Sequence, residues 1–164
     1  MPIDIRPIAP DDVPTITSLA RTTWLDAYAD IISPEQIEYM LAQRYDHDRL
    51  CAETADPQKW LRQATLDGVL AGFAACEISK GEFKLDKLYI HPDMQRRGIG
   101  AALVTHVAAI AREQGFPRVI LAVNKQNEQA ISAYTRYGFR VRDKIVTDIG
   151  NGFVMDDYIM EKIL

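Results

Sequence analysis

The chain has 164 residues, of which 48% are hydrophobic, and its 19 basic and 23 acidic side chains leave a net charge of −4. That length suits a single domain spanning 1–164, since most domains run from about 50 to 250 residues, and the apolar content excludes a disordered chain. The acidic balance argues against a nucleic-acid partner, and no apolar stretch reaches the roughly 18 residues of a membrane span.

The N-terminus, Met1-Pro2-Ile3-Asp4-Ile5-Arg6, is polar from the start and lacks the apolar core of a signal peptide, so a cytoplasmic protein is expected. Ile3, Ile5 and Ile8 begin an extended segment. Asp11-Asp12-Val13-Pro14 then has the form of a helix start, a carboxylate cap with an early proline. Ile16, Leu19, Ala20, Trp24 and Tyr28 follow at helical spacing. Ser33-Pro34-Glu35-Gln36 opens a second helix, with Ile37, Met40 and Leu41 as its buried stripe. From Tyr45 to Pro57 the chain is polar and charged, which predicts a helix end and a mobile connection.

Lys59 to Thr65, Val69 to Ile78 and Phe83 to Ile90 read as a three-strand meander, turned at Asp67-Gly68 and Lys80-Gly81. A helix is expected from about Gly98 to Gln114, capped by Gly115. Val119 to Val123 is a continuous apolar run, hence a buried strand, parallel to a neighbour. A last helix covers Glu128 to Tyr137. Strands near Val141–Asp148 and Phe153–Lys162 close the chain around Gly150-Asn151-Gly152. The order predicts a mixed α/β sheet with helices on both faces.

Cys51 and Cys76 lie far apart, and each is expected to be a small buried or half-buried hydrophobe. His47, His91 and His106 show no ligand spacing, so no metal is expected.

The chemistry concentrates in Gln95-Arg96-Arg97-Gly98-Ile99-Gly100, between a strand end and a helix start. Unpaired first-turn amides, the positive end of the helix dipole and two arginines make an anion site suited to a pyrophosphate. Glycines at 98 and 100 allow a ligand close approach, although the same glycines also suit a helix seated tightly on a sheet. The loop lacks the Gly-Lys-Ser or Gly-Lys-Thr of a Walker motif. It also lacks the third glycine and the early position of a dinucleotide fingerprint.

The longer run from Leu88 to Ala101 resembles the acetyl-CoA-binding motif of the GNAT superfamily of N-acetyltransferases. Asn124, Asn127, Ala130, Tyr134 and Tyr137-Gly138-Phe139 are similar to the family's second cofactor segment, and the element order matches over essentially the whole chain. The resemblance implies a mostly antiparallel central sheet with a splayed parallel strand pair that receives the coenzyme's pantetheine. It places Leu88, Tyr89, Ile90 and Leu121 to Asn124 along that slot. Gln95, Arg96, Arg97, Gly98, Ile99, Gly100 and Ala101 would sit at the pyrophosphate. Asn127 would face the coenzyme, or serve as a helix cap, or both.

The resemblance further implies that Tyr134 donates a proton to the departing thiolate; an amphipathic core tyrosine is the plainer alternative. The reaction would be direct attack of a primary amine on the thioester, with no covalent enzyme intermediate. A backbone N–H near Tyr89 or Ile90 would stabilise the oxyanion. Where family members often carry a glutamate base, this sequence has Lys84. Asp86, two residues on, is the substitute candidate, with Glu77 and Glu82 nearby.

The stretch from Asp148 to Met160 is similar to the tail of the PaiA-type subgroup, some of which acetylate polyamines such as spermidine. Asp26, Asp30, Glu35 and Glu38 would attract a polycation if they line the acceptor groove; a solvated helix face is the bland alternative. Two rival readings stand beside a polyamine acetyltransferase: a peptide or protein N-acetyltransferase, and a CoA-binding regulatory module without catalysis. The closing hairpin is expected at an exposed edge, where it would pair with a second copy.

Overall fold

The computed structural model describes residues 2–164. Strand β1 (Ile3–Pro7) leads through a short 3-10 turn to helices α1 (Val13–Tyr28), α2 (Pro34–Arg44) and α3 (His47–Thr54). Strands β2 (Lys59–Leu66), β3 (Val69–Ser79) and β4 (Glu82–Ile90) form the expected meander. Then come α4 (Ile99–Glu113), β5 (Arg118–Asn124), α5 (Glu128–Arg136), β6 (Arg140–Gly150) and β7 (Phe153–Ile163). One seven-stranded sheet runs in the order β1-β2-β3-β4-β5-β7-β6. Every neighbouring pair is antiparallel except β4 with β5.

The turns follow their chemistry. Asp67-Gly68, Lys80-Gly81 and Asn151-Gly152 all have positive φ at both residues, the backbone that joins right-twisted strands tightly. Past α4, the Phe116 amide donates to the Ala111 carbonyl and the Gly115 amide to that of Arg112. Gly115 between them takes φ +83°, so a Schellman motif ends the helix as expected.

Two cores lie on opposite faces of the sheet. α4 packs Ile99, Leu103 and Val107 against Phe83, Leu85, Val119 and Leu121, with Tyr134 of α5 and Tyr137 just past it beside them. The other core joins Ile16, Trp24 and Tyr28 of α1, Ile37 and Met40 of α2, and Leu50 of α3 to Leu61, Phe73 and Ala75 of the sheet. Both cysteines are free, Cys76 buried and Cys51 partly so.

Two expectations need correction. The stretch after Tyr45 is not a bare connection, because His47–Thr54 is helical. Asp46 caps this helix by accepting from the Arg49 amide at 3.1 Å. Only Leu50 supplies apolar burial; the second anchor is Glu53, a buried carboxylate facing Arg49, Lys59 and Lys87. Asp12 does not cap α1 either. Its Oδ2 accepts from the Ala9 amide at 2.9 Å and from Gln63 Nε2 at 2.8 Å, tying the helix entry to β2.

The outer edge is β6, exposed along nearly its whole length, including Val141, Ile145 and Val146. Its hairpin is held inward by α2: Tyr39 Oη donates to the Ile149 carbonyl at 2.9 Å, and Gln36 Nε2 donates to that of Val154 at 2.9 Å.

At the opposite end of the parallel seam, Gly72 of β3 faces the tip of β4. A Cβ there would stand 2.7 Å from the Tyr89 carbonyl oxygen and 2.8 Å from Ile90 Cδ1, so backbone would have to move. Gly72→Ala should cost about 1–3 kcal/mol of stability, read as a Tm loss of about 2–4 °C per kcal/mol. An unchanged Tm would show that the β4 tip yields freely.

Candidate functional site

Strands β4 and β5 pair at only two positions, Phe83 with Val119 and Lys84 with Ile120. Beyond those they part. From Leu85 to Ile90 and from Leu121 to Asn124, the facing edges form a V whose peptide groups have no partner across the gap. Each strand stays anchored on its outer side, β4 to β3 and β5 to β7 over its full length. Unpaired backbone groups are costly unless water or a ligand meets them, so the V is a ready slot for an extended chain of amides.

A cleft of about 760 Å³ occupies this gap. Leu88, Tyr89 and Ile90 form one wall, Ala122 and Val123 the other. Gln95, Arg96, Gly98, Ile99, Gly100 and Ala101 close one end, and Ala130 and Tyr134 of α5, with its flanking residues Asn127 and Tyr137, close the side. Asp86 also reaches the wall. Arg97 and Asn124 lie off it, as do Asp26, Asp30, Glu35 and Glu38. Glu38 is instead bidentate with Arg21, at 2.6 and 2.9 Å. Thr23 and Tyr28 of α1 also line the cleft; the sequence marked Tyr28 only as part of a buried helical stripe and Thr23 not at all.

The loop before α4 has the geometry of an anion nest. φ is +64° at Arg96 and +81° at Gly98, with Arg97 between them outside the left-handed region. Such alternation turns successive amides toward a common point. For arginine the left-handed backbone costs about 1–3 kcal/mol, strain of the kind that collects at ligand sites. The first turn of α4 has no side-chain cap, so its amides and the positive dipole end stay available. Gln129 of α5 donates to Gln95 Oε1 at 3.4 Å and links the loop to the next helix. Asn127 caps α5 by accepting from the Ala130 amide at 3.3 Å, while partly facing the cleft.

Tyr134 packs against the aromatic rings of Tyr137 and Phe139, with centroids 6.5 and 5.7 Å away. Burial, reinforced by Tyr28 and Tyr137, pushes its phenol well above the usual range. It therefore stays protonated at neutral pH, the state a proton donor needs. Burial pushes the Cys76 thiol up to about 12, which leaves it an inert hydrophobe.

Asp86 sits in an irregularity of β4. Cys76 of β3 pairs with Leu85 and Ala75 with Lys87, so Asp86 is the extra residue of a bulge. Its carboxylate lies 2.7 Å from Lys87 Nζ, 3.4 Å from Arg44 and 3.9 Å from Lys84. Arg44 also donates to the Asp86 carbonyl at 3.1 Å, clamping the bulge from α2. Burial alone would raise the carboxyl's pKa, but Arg44, Lys87 and Lys84 overcome it and hold the group well below the ordinary carboxylate range. Glu77 is tied to Lys59 at 3.1 Å and Glu82 to Arg142 at 2.7 Å.

The profile described as the acetyltransferase (GNAT) family matches residues 16–139. A spermidine N(1)-acetyltransferase of Thermoplasma acidophilum is 32% identical over 160 residues, covering 95% of this chain and 97% of the relative. An uncharacterised N-acetyltransferase of Mycobacterium bovis is 28% identical over 93% of this chain and 98% of its own. Among solved structures, the PaiA N-acetyltransferase of Thermoplasma acidophilum in complex with coenzyme A superposes with a TM-score of 0.87. It is 30% identical and the match covers 100% of both chains.

The Asp86 cluster makes a stability prediction. Asp86→Asn should cost about 3–5 kcal/mol at pH 7 by leaving buried cations uncompensated. Because the folded pKa is depressed, the wild-type advantage exists above the unfolded pKa of about 3.9 and disappears as pH falls through the lower folded value. Denaturant titrations of both proteins between pH 7 and pH 2 check this. An advantage that persisted undiminished at pH 2 would refute it.

Proposed function

The chain belongs to the acetyltransferase (GNAT) family and is an N-acetyltransferase, and we propose that it transfers an acetyl group from acetyl-CoA to a primary amine of a polyamine. The observation that carries the polyamine reading is the whole-length likeness to a spermidine N(1)-acetyltransferase. The cleft suits the coenzyme on its own terms: an anion nest at one end for the pyrophosphate and a V of unpaired peptide groups for the pantetheine amides.

When bound, acetyl-CoA supplies an acetyl thioester whose carbonyl is open to a neutral amine. The chain's own residues do the rest. The amides of the Gln95–Ala101 segment hold the phosphates, with Arg96 adding charge from the cleft wall. Leu88, Tyr89 and Ile90 offer backbone donors at the wall, one of them toward the oxygen that gains charge during attack. Tyr134, kept protonated by burial, donates to the sulfur as it leaves. Asp86 belongs to the catalytic region as a charge that fixes the β4 bulge, since three cations weaken it as a base. Neither cysteine lines the cleft, which favours direct attack over a covalent relay.

An amine panel of spermidine, spermine, amino acids and short peptides, followed by release of free thiol, tests the acceptor. Polyamines should show the highest kcat/KM; preference for peptides would replace this reading with the peptide acetyltransferase one. Tyr134→Phe should keep coenzyme affinity within a few-fold and lower kcat by about 100-fold or more. If the wild type acetylates nothing while binding coenzyme A tightly, the non-catalytic module is the better description.

A further inference from the structure

Acetyl transfer to an amine needs a group that takes the ammonium proton, and the sequence's candidate for it, Asp86, is occupied by cations. The other carboxylates near β4 are also engaged: Glu53 by Arg49, Lys59 and Lys87, Glu77 by Lys59, and Glu82 by Arg142. One carboxylate on this face is not. Asp157 of β7 forms no ion pair among the described residues, and its Oδ1 is shielded from solvent with no hydrogen-bond partner.

Its position follows from register. Asp157 pairs with Asn124, and Ile159, two residues on, pairs with Ala122 of the cleft wall. Side chains two apart share a face, so Asp157 and Ala122 look toward α1 and α2, as Met155 does. Ala122 is exposed although it lies on an interior strand, which marks an opening in the helical cover. Tyr28 and Asp86 line the cleft at that opening, and half-buried Asp157 stands just outside the lining, beside it through the β5–β7 register.

We propose that Asp157 is the catalytic carboxylate that binds the acceptor ammonium and takes its first proton. This rests on the acetyl-transfer reading above. The ammonium loses two protons in becoming an amide. The first passes to Asp157 and on to solvent; the nitrogen's freed pair forms the N–C bond as the C–S pair departs on sulfur. The second leaves the new C–N centre and balances the proton that Tyr134 gives the sulfur.

The surroundings favour a basic carboxylate. Burial, then Asp156, push Asp157 upward, against opposition from Lys84 of β4, Arg44 of α2 and Lys125 beyond β5. Lys125 is itself drawn to Asp156 at 2.6 Å. Tyr28 of α1 carries no charge at neutral pH, and β6 offers Ile145 opposite Asp157. A carboxylate whose charged form is penalised is a stronger base than an ordinary one.

The test uses Asp157→Asn in the full chain, with coenzyme A affinity by calorimetry as the control for folding. Coenzyme affinity should be unchanged and kcat/KM for a polyamine should fall about 100-fold or more, with loss of the acid limb of its pH profile. The defect should shrink at least tenfold for monoamines whose ammonium pKa is near 6 compared with those near 10, roughly, because weakly basic amines arrive already neutral. Asp157→Glu should restore part of the rate. An equal loss across all amines, or a rise in KM with kcat and the acid limb intact, would overturn the proposal. If the wild type ignores polyamines but acetylates another amine, the polyamine reading fails while the Asp157 test proceeds on that amine.

Discussion

The parting of β4 from β5 after two paired residues is the constraint on which the rest of the molecule depends. A sheet normally closes such a gap, since each unmet peptide group is expensive. Here the closure is prevented from both sides. β5 is committed to β7 from Arg118 to Asn124, and β4 is committed to β3 through a bulge that changes its direction at Asp86. Gly72, lacking a side chain, lets β3 follow the displaced β4 tip closely. Beneath the gap, Ile99 and Leu103 of α4 fill the core that a straight sheet would have covered otherwise.

The bulge needs its charges. Arg44, Lys84 and Lys87 converge on one carboxylate, while Glu53 answers Lys87 from α3. Lys87 is nearly inaccessible and also lies 5.6 Å from the centre of the Tyr45 ring. Buried ion pairs gain little over a hydrophobic alternative, but they are costly to break and they specify geometry. That is the use here: α2 and α3 are tied by charge to the strand that forms one wall of the cleft. The tie consumes Asp86, and with it the carboxylate that the local sequence offered for proton transfer.

Much of this was legible in the sequence because it is local. The left-handed turn before α4 is contiguous backbone, so Gln95 to Gly100 carried its own signal, and the tight turns at Asp67-Gly68, Lys80-Gly81 and Asn151-Gly152 did likewise. Helix α3 was not legible, since only Leu50 marks its apolar face and Glu53 holds it through residues far along the chain. Asp12 had the form of a cap but found Gln63 instead, a partner 51 residues away. Asp157 lay within the Asp148–Met160 stretch but was not marked there as a site residue. Its meaning comes from the β5–β7 register, which sets it beside Asn124 and near Ala122.

The two faces of the sheet also divide the chemistry. Tyr134 belongs to the core that α4 and α5 make on one side, while Asp157 looks toward α1 and α2 on the other. A donor and an acceptor of protons can serve one reacting centre when their environments hold them in opposite protonation states. Tyr28 of α1 stands near both, and each keeps the protonation state its burial favours: a phenol that holds its proton, and a carboxylate more willing to take one. The gap between β4 and β5 is then where the two environments meet. An acyl carbonyl held there would receive an amine from the α1–α2 side and release a thiol toward α5. In the proposed reaction, the missing hydrogen bonds of one parallel strand pair would therefore serve two ends, a slot for the coenzyme and a passage between proton acceptor and proton donor.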